Sequence, residues 1–337
     1  WRLQLALGTL TAKNVQARLA TERFDVLFSA YSIHALHGVR PPSDIVTVFT
    51  TDATPSTYRE SLVGASFGSY FRASRFIDPL IKRAEIATLE RADLWLWPSD
   101  WLRTKVRDVL GLADDARSLT VPWGANVEWL DAPEHYGTLS PDEPVRLLLV
   151  GRDWYAKGGP LTYATFRALR NLGIDTRLDV VGCRPEGIEG DGVTVHGLLD
   201  RRDPEQNERL ISLYRDSHFL VMPSMESYGF AFCEASAFGL PSLCYRVGGV
   251  PIREGINGHA VPYPSTPEAF VQHILAYCRS PRQYDALRRS TRREYEEHLN
   301  WDAWGRRTDE LIREVLARRG ARSSHEHAGR ATADSGT

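Results

Sequence analysis

The chain has 337 residues, 42% of them hydrophobic and 25% charged, with a formal net charge of −2. That balance describes a globular protein long enough for two domains with separate cores. It excludes a polycationic surface, and with it electrostatic capture of nucleic acid as the ordinary mode of action. In chain order, the apolar runs at 24–28 and 45–49 read as buried strands. Residues 80–92 have helical spacing, and 94–97 is another strand. Ser99, after Pro98, caps a helix that Gly111 ends. A strand follows at 118–121. Residues 131–144, rich in Pro, Asp and Glu without periodicity, read as an interdomain linker.

Beyond the linker the alternation is regular. Strands at 145–150, 178–181, 193–196, 219–222 and 242–245 are interleaved with helices at 160–172, 205–217, 230–238 and 267–278. Continuous apolar strands alternating with amphipathic helices specify an α/β fold with a doubly wound parallel sheet. Residues 282–319 are helical and interleave Arg with Glu and Asp, the pattern of a solvated helix face. Residues 321–337 are mostly Ser, His, Gly and Ala, which predicts a disordered tail. Cys183, Cys233, Cys244 and Cys278 form no Cys-x-x-Cys pair and read as free thiols in a reducing compartment. No apolar stretch approaches the roughly 20 residues of a membrane span. With no signal peptide visible, the expected location is cytoplasmic, although the chain begins at Trp1 rather than Met.

Three polar segments follow predicted strands. Gly151-Arg-Asp-Trp-Tyr-Ala-Lys-Gly-Gly-Pro160 opens a helix, whose free N–H groups and positive dipole end suit an anion. Arg152 and Lys157 add two positive charges there, a fork and a point charge suited to phosphate oxygens. Arg246-Val-Gly-Gly-Val-Pro251 supplies a second glycine turn, where consecutive amides form a nest for an anion. Glu226 lies on the loop between the 219–222 strand and the following helix, and Glu234 lies within that helix. On one straight helix, residues eight apart are about 80° out of phase. The pair therefore lines one pocket only if a loop and a helix start both face it. Two acceptor-only carboxylates in that position suit a ligand rich in hydroxyls.

Gly151-Arg152 with Lys157-Gly158, Glu226 and Glu234 around Tyr-Gly-Phe, Gly239-Leu-Pro241, Gly248-Gly249 and Asn257-Gly258 occur in one order. This set resembles the C-terminal domain of a GT-B fold retaining glycosyltransferase of family 4 (glycosyl transferases group 1), over about residues 145–265. The segments 89–101 and 121–126 resemble the end of that family's N-terminal domain. The resemblance implies two Rossmann-like doubly wound domains facing a cleft. The expected division is an N-terminal acceptor-side domain at 1–136 and a nucleotide-sugar-binding domain at 137–305, then a helix at 306–320 returning to the N-terminal domain and the 321–337 tail.

The implied activity is hexosyl transfer from a nucleotide-diphosphate sugar to a hydroxyl acceptor, with retention of configuration. Arg152 and Lys157 would hold the diphosphate, with Glu226 at the sugar hydroxyls. Glu234 would take the ribose, Gly197 would lie near the base, and the backbone at Gly151, Gly229, Phe230 and Ala231 would help seat the donor. No cofactor and no metal are implied. The acceptor is left open among a saccharide, a lipid-linked saccharide and a small molecule.

The chain also departs from the family's pattern. No glycine-rich loop precedes the 24–28 strand, so the N-terminal domain is expected to be incomplete at its start. A catalytically weak or inactive sugar-nucleotide-binding remnant is the alternative this raises. The family's N-terminal histidine has no counterpart in Thr50-Thr-Asp-Ala-Thr-Pro55; Asp52 and His34 are the candidate contacts there, with His37 beside the latter. Residues 70–77 with Lys82-Arg83 mix aromatic and basic side chains, a pattern suited to peripheral contact with a membrane surface or lipid acceptor. Glu60, Asp78 and Glu85 dilute that charge, and a helix on the interdomain cleft is the preferred reading.

Overall fold

A computed structural model of the chain describes residues 2–65, 75–113, 116–127, 139–140, 142–188 and 190–333. It separates into two compact units, residues 1–121 with 304–337, and residues 122–303. Most of the expected linker, and residues 70–74 of the aromatic-basic segment, lie outside the described residues.

The first unit opens with helix α1 (Arg2–Thr21), which the sequence reading did not assign, followed by β1 (Val26–Ala30) and α2 (Ile33–Gly38). Then come β2 (Val46–Thr50), α3 (Pro55–Arg59), α4 (Leu62–Ala65), α5 (Asp78–Leu89), β3 (Leu94–Trp97), α6 (Asp100–Leu110) and β4 (Ser118–Thr120). Residues 75–77 form a single 3-10 turn ahead of α5. Helix α6 is bounded as its sequence dictates. The Ser99 side chain accepts the Leu102 amide, and Gly111 ends the helix in the left-handed region at φ 72°.

The four strands are parallel, in the order β1-β2-β3-β4. Alternate residues feed opposite faces. Phe49, Trp95 and Trp97 join one core with Ile33, Leu89 and Leu102. Val46, Val48, Leu94 and Leu96 join another with Leu311 and Val315. Two apolar faces explain why these strands read as continuous hydrophobic runs. The buried indoles keep hydrogen-bond partners: Trp95 donates to the Leu89 carbonyl at 2.7 Å and Trp97 to the Ser118 hydroxyl at 3.0 Å.

The second unit contains β5 (Val145–Val150), α7 (Gly159–Asn171), β6 (Thr176–Val181), β7 (Val193–Gly197), α8 (Pro204–Asp216), β8 (Phe219–Met222) and α9 (Phe230–Ala237). It continues with β9 (Ser242–Tyr245), β10 (Gly258–Val261), α10 (Pro267–Cys278) and α11 (Pro281–Glu297). Its six strands are parallel, in the order β10-β9-β8-β5-β6-β7. Strand β10 is absent from the sequence reading. It exists because Gly258, at φ 145°, brings the backbone against Ser242, where an added Cβ would lie 1.9 Å from the carbonyl oxygen. The preceding Asn257 is fully buried, accepts the Arg253 amide at 2.8 Å and donates to the Pro251 carbonyl at 2.8 Å. The Asn-Gly pair thus fixes the loop that feeds β10.

The last helix, α12 (Trp301–Ala333), starts in the second unit and supplies Leu311 and Val315 to the first. Arg319 reaches Asp93 at 2.5 Å. Its backbone remains helical to Ala333, through most of the stretch whose composition predicts disorder. The reason is local: residues 321–333 contain no proline, and their four alanines and two arginines sustain a helix once one is nucleated. Among the described residues, no helix is long and apolar enough to cross a membrane.

Candidate functional site

In the second unit the sheet runs outward from β5 in two directions, to β6 and β7 on one side and to β8, β9 and β10 on the other. Neighbouring strands β5 and β8 are where the chain reverses its progress, so the loops leaving their C-terminal ends diverge and open a crevice. The Gly151–Pro160 segment leaves β5, and the Glu226 loop leaves β8.

The β5 loop is a tight turn. The Asp153 carboxylate accepts the amides of Tyr155 and Ala156 at 3.0 and 2.9 Å. Gly158 adopts the left-handed conformation at φ 75°, and an added Cβ would lie 2.1 Å from the Pro223 carbonyl oxygen. Glycine is required there on both counts, because the turn lies directly against the exit of β8. Gly151 serves a different end. A Cβ on it would lie 2.2 Å from Lys157 Cγ, so its bare backbone lets the lysine stem fold back over the strand end. The Lys157 ammonium then pairs with the Glu226 carboxylate. Arg152 on the same loop is exposed and makes no ion pair among the described residues.

Glu226 is half-buried beside the start of α9. Gly229, at φ 97°, separates it from Phe232: a Cβ there would be 2.7 Å from the Phe232 ring and 3.4 Å from Glu226 Cγ. Gly229 has no side chain to cap the helix, so the first-turn amides at Phe230 and Ala231 receive no side-chain cap from it. The Phe230 ring stacks on Trp123 at 5.7 Å and 4°, which commits the ring to packing. The Gly249 amide donates to the Ser227 carbonyl at 2.9 Å, tying the glycine turn after β9 to the Glu226 loop. Arg152, Lys157, Glu226, Gly229 and Gly249 are therefore gathered at one edge of the sheet.

Glu234 has a different environment. It is 5% exposed. It accepts from Arg201 at 2.6 Å and from the Tyr214 hydroxyl at 2.9 Å. Arg201 also donates to the Asn126 carbonyl at 2.6 Å. Burial, with the Glu234 carboxylate alongside, raises the Tyr214 hydroxyl well above the ordinary phenol range. For Arg201 burial pulls the other way, but the hydrogen bond and charge of Glu234 outweigh it and the pKa ends above its usual value. Arg201 and Tyr214 also line a cavity of about 200 Å³ with Asn126, Asn207, Leu210 and Phe238. Sequence reasoning missed both partners. The available signal was position: Arg201 follows β7 by four residues, on the same C-terminal edge as the other polar loops. Gly197 ends β7 at φ 70°, and the Arg184 guanidinium covers it, 2.6 Å from where a Cβ would stand.

In the first unit, Asp52 lies two residues past β2 and His34 in the first turn of α2, just past β1. Both sit at the C-terminal edge of their own sheet. Burial raises the Tyr31 hydroxyl to about 12, and the charge of Asp52 adds to the effect. His34 is half-buried against α1, where a Cβ on Gly8 would lie 2.9 Å from the His34 Cβ. Burial, and then the neighbouring His37, lower its pKa below the usual value.

Residues 144–280 match the family model described as glycosyl transferases group 1. A D-inositol 3-phosphate glycosyltransferase of Nocardiopsis dassonvillei is 27% identical over 254 residues, 68% of this chain and 57% of that protein. The protein of the same name from Streptomyces griseus is 28% identical over 149 residues, 42% of this chain and 31% of that protein. The chain thus spans between about a third and somewhat over half of these relatives. Among solved structures, sucrose-phosphate synthase from Thermosynechococcus elongatus superposes with a TM-score of 0.65 at 22% identity, covering 91% of this chain and 77% of that one. Anabaena HepE in complex with UDP superposes with a TM-score of 0.63 at 14% identity, covering 90% and 82%. Two parallel α/β sheets with this order of strands have the GT-B fold, and the second of them lies within the residues that match the glycosyl transferases group 1 model.

Proposed function

We propose that the protein transfers a hexose from a nucleoside diphosphate sugar to a hydroxyl acceptor, with retention of anomeric configuration. The observation that supports this most directly is the pairing of Lys157 with Glu226 where β5 and β8 diverge, with Arg152 exposed on the same loop. A diphosphate at that edge would meet one fixed and one mobile cation, and the turn ahead of α7 would present amides to it. Arg152 and Lys157 would compensate the charge that grows on the leaving group, without a bridging metal. Glu226 would contact sugar hydroxyls, with the backbone at Gly229, Phe230 and Ala231 seating the ring. Glu234 would face the ribose through whatever acceptor capacity its bonds to Arg201 and Tyr214 leave, and Gly197 would border the base.

In this reading the chain supplies no covalent nucleophile. The departing phosphate takes the acceptor proton on the face where the new bond forms, and the protein contributes positioning and electrostatics. The test is nucleotide release from a panel of UDP, GDP and ADP sugars, with and without acceptors. D-inositol 3-phosphate, after the relatives' name, belongs in that panel. NMR of the product's anomeric proton reads the configuration. Absence of binding to every nucleoside diphosphate by calorimetry defeats the proposal. Binding without release under any acceptor favours the inactive-remnant alternative, and an inverted product refutes retention.

A further inference from the structure

Elsewhere in the same unit, Glu254, His259 and His273 converge from three elements. Glu254 lies in the loop after β9, His259 on β10 and His273 on α10. One potential ligand atom from each lies within 4.8 Å of the others. His259 Nδ1 meets a Glu254 oxygen at 2.5 Å, and its Nε2 meets the Tyr277 hydroxyl at 2.8 Å. The second Glu254 oxygen is held by the Ala260 amide at 3.1 Å, with Arg246 at 3.6 Å. The His273 ring stacks on His259 at 4.2 Å and 18°. Its nitrogens have no hydrogen-bond partner among the described residues, although the side chain is partly buried.

We infer that Glu254, His259 and His273 form a binding site for a divalent transition metal ion of the zinc class. Two imidazoles and a carboxylate are the donor set such ions take, with solvent completing the shell. The surroundings match what a metal-bound histidine requires. With an ion bound, the Tyr277 hydroxyl, 2.8 Å from His259 Nε2, would accept the ring N–H there and leave Nδ1, the nitrogen that faces Glu254, to ligate. The Ala260 amide fixes the carboxylate so that its other oxygen faces the histidines. His273 has to tilt out of its stack for its nitrogen to converge on the ion, and with no hydrogen bond to break that movement is cheap. Bound there, the ion would clip the loop after β9 to α10.

Calorimetric titration of the full chain with zinc chloride, after stripping with a chelator and with no sugar nucleotide present, tests this apart from the proposed transfer. One equivalent is expected to bind. His273→Ala and Glu254→Gln should weaken it about a hundredfold or abolish it, and Tyr277→Phe should weaken it about tenfold at unchanged stoichiometry. Metal-free circular dichroism of each variant, matched to the parent, separates lost binding from lost folding, and His273→Gln replaces His273→Ala if the latter fails that check. No zinc binding by the parent overturns the inference, as does undiminished binding by a folded His273 variant. Binding that disappears on alkylation of Cys183 and Cys278 but survives the His273 change also overturns it.

Discussion

Replacing Arg201 with alanine should loosen the α8–α9 region through one carboxylate. The Glu234 side chain is 7% exposed and the Arg201 side chain 37%. Removing one partner of a fully buried ion pair costs about 3–5 kcal/mol, because the other charge stays behind without compensation. Water reaches Arg201 and will partly solvate what it leaves, and the Tyr214 hydroxyl still donates to the carboxylate at 2.9 Å. The loss should therefore fall near 2 kcal/mol, the range for a hydrogen bond to a charged group. That corresponds to about thirtyfold faster hydrogen exchange at the amides of α8 and α9 where they exchange by opening of this unit. Exchange read by mass spectrometry suits a chain with two compact units, for which a single unfolding midpoint is poorly defined. Glu234→Gln removes the charge that needs the guanidinium, so the double variant Arg201→Ala/Glu234→Gln should recover most of the loss, a coupling of roughly 1–2 kcal/mol. Exchange within about twofold of the parent in Arg201→Ala would refute the reasoning, and so would strictly additive effects in the double variant.

Further outcomes follow from other parts of the structure. Glu85 is 1% exposed and accepts the Ser56 amide at 3.1 Å, yet burial outweighs its hydrogen bonds and raises its pKa from 4.5 to about 7. A folded pKa above the unfolded one means that its contribution is fully present below pH 4.5 and is lost as pH rises through about 7. The loss is on the order of 3 kcal/mol. Glu85→Gln should flatten the fall in thermal stability across that window, and identical pH profiles for parent and variant would count against it. Lys157→Ala should slow single-turnover sugar transfer by about 10²–10³-fold, with Lys157→Arg retaining part of the rate; a loss under about fivefold would remove Lys157 from the proposed role. Gly158→Ala should weaken nucleoside diphosphate binding and lower the melting temperature more than Gly111→Ala. Both positions have φ above 70°, but only at Gly158 does an added methyl meet backbone, at 2.1 Å, whereas nothing lies within 4 Å at Gly111. Equal effects would show that conformational strain, about 1–2 kcal/mol, is the whole cost.

Much of the second unit was readable because its strands are buried on both faces. Runs such as Phe219–Met222 leave no polar residue to blur their ends, and the strand was placed to the residue. The Ser99 cap and the Gly111 stop were equally legible, since both act through their immediate neighbours. Elements that depend on distant partners were not. Helix α1 lacks a clear apolar stripe, and it packs on α2 through close approaches at Gly8 to His34 and at Gly38 to Ala12. Strand β10 is four residues long and holds a glycine and a histidine, so only its pairing with β9 identifies it.

The candidate site divides in the same way. The sequence by itself determined the residue types at the strand exits: glycines where the chain must turn tightly, Arg152 and Lys157 on one loop, Glu226 and Glu234 around the next. Their ordered spacing was enough to indicate the family. Which carboxylate meets which cation was decided only in three dimensions. Lys157 and Glu226 are 69 residues apart, and Arg201 and Glu234 are 33 apart. Those separations are bridged by a strand order that reverses at β5 and β8, and no local periodicity records it. Hydrophobic patterning reports which way a side chain faces relative to its own backbone, whereas an ion pair depends on which strands become neighbours.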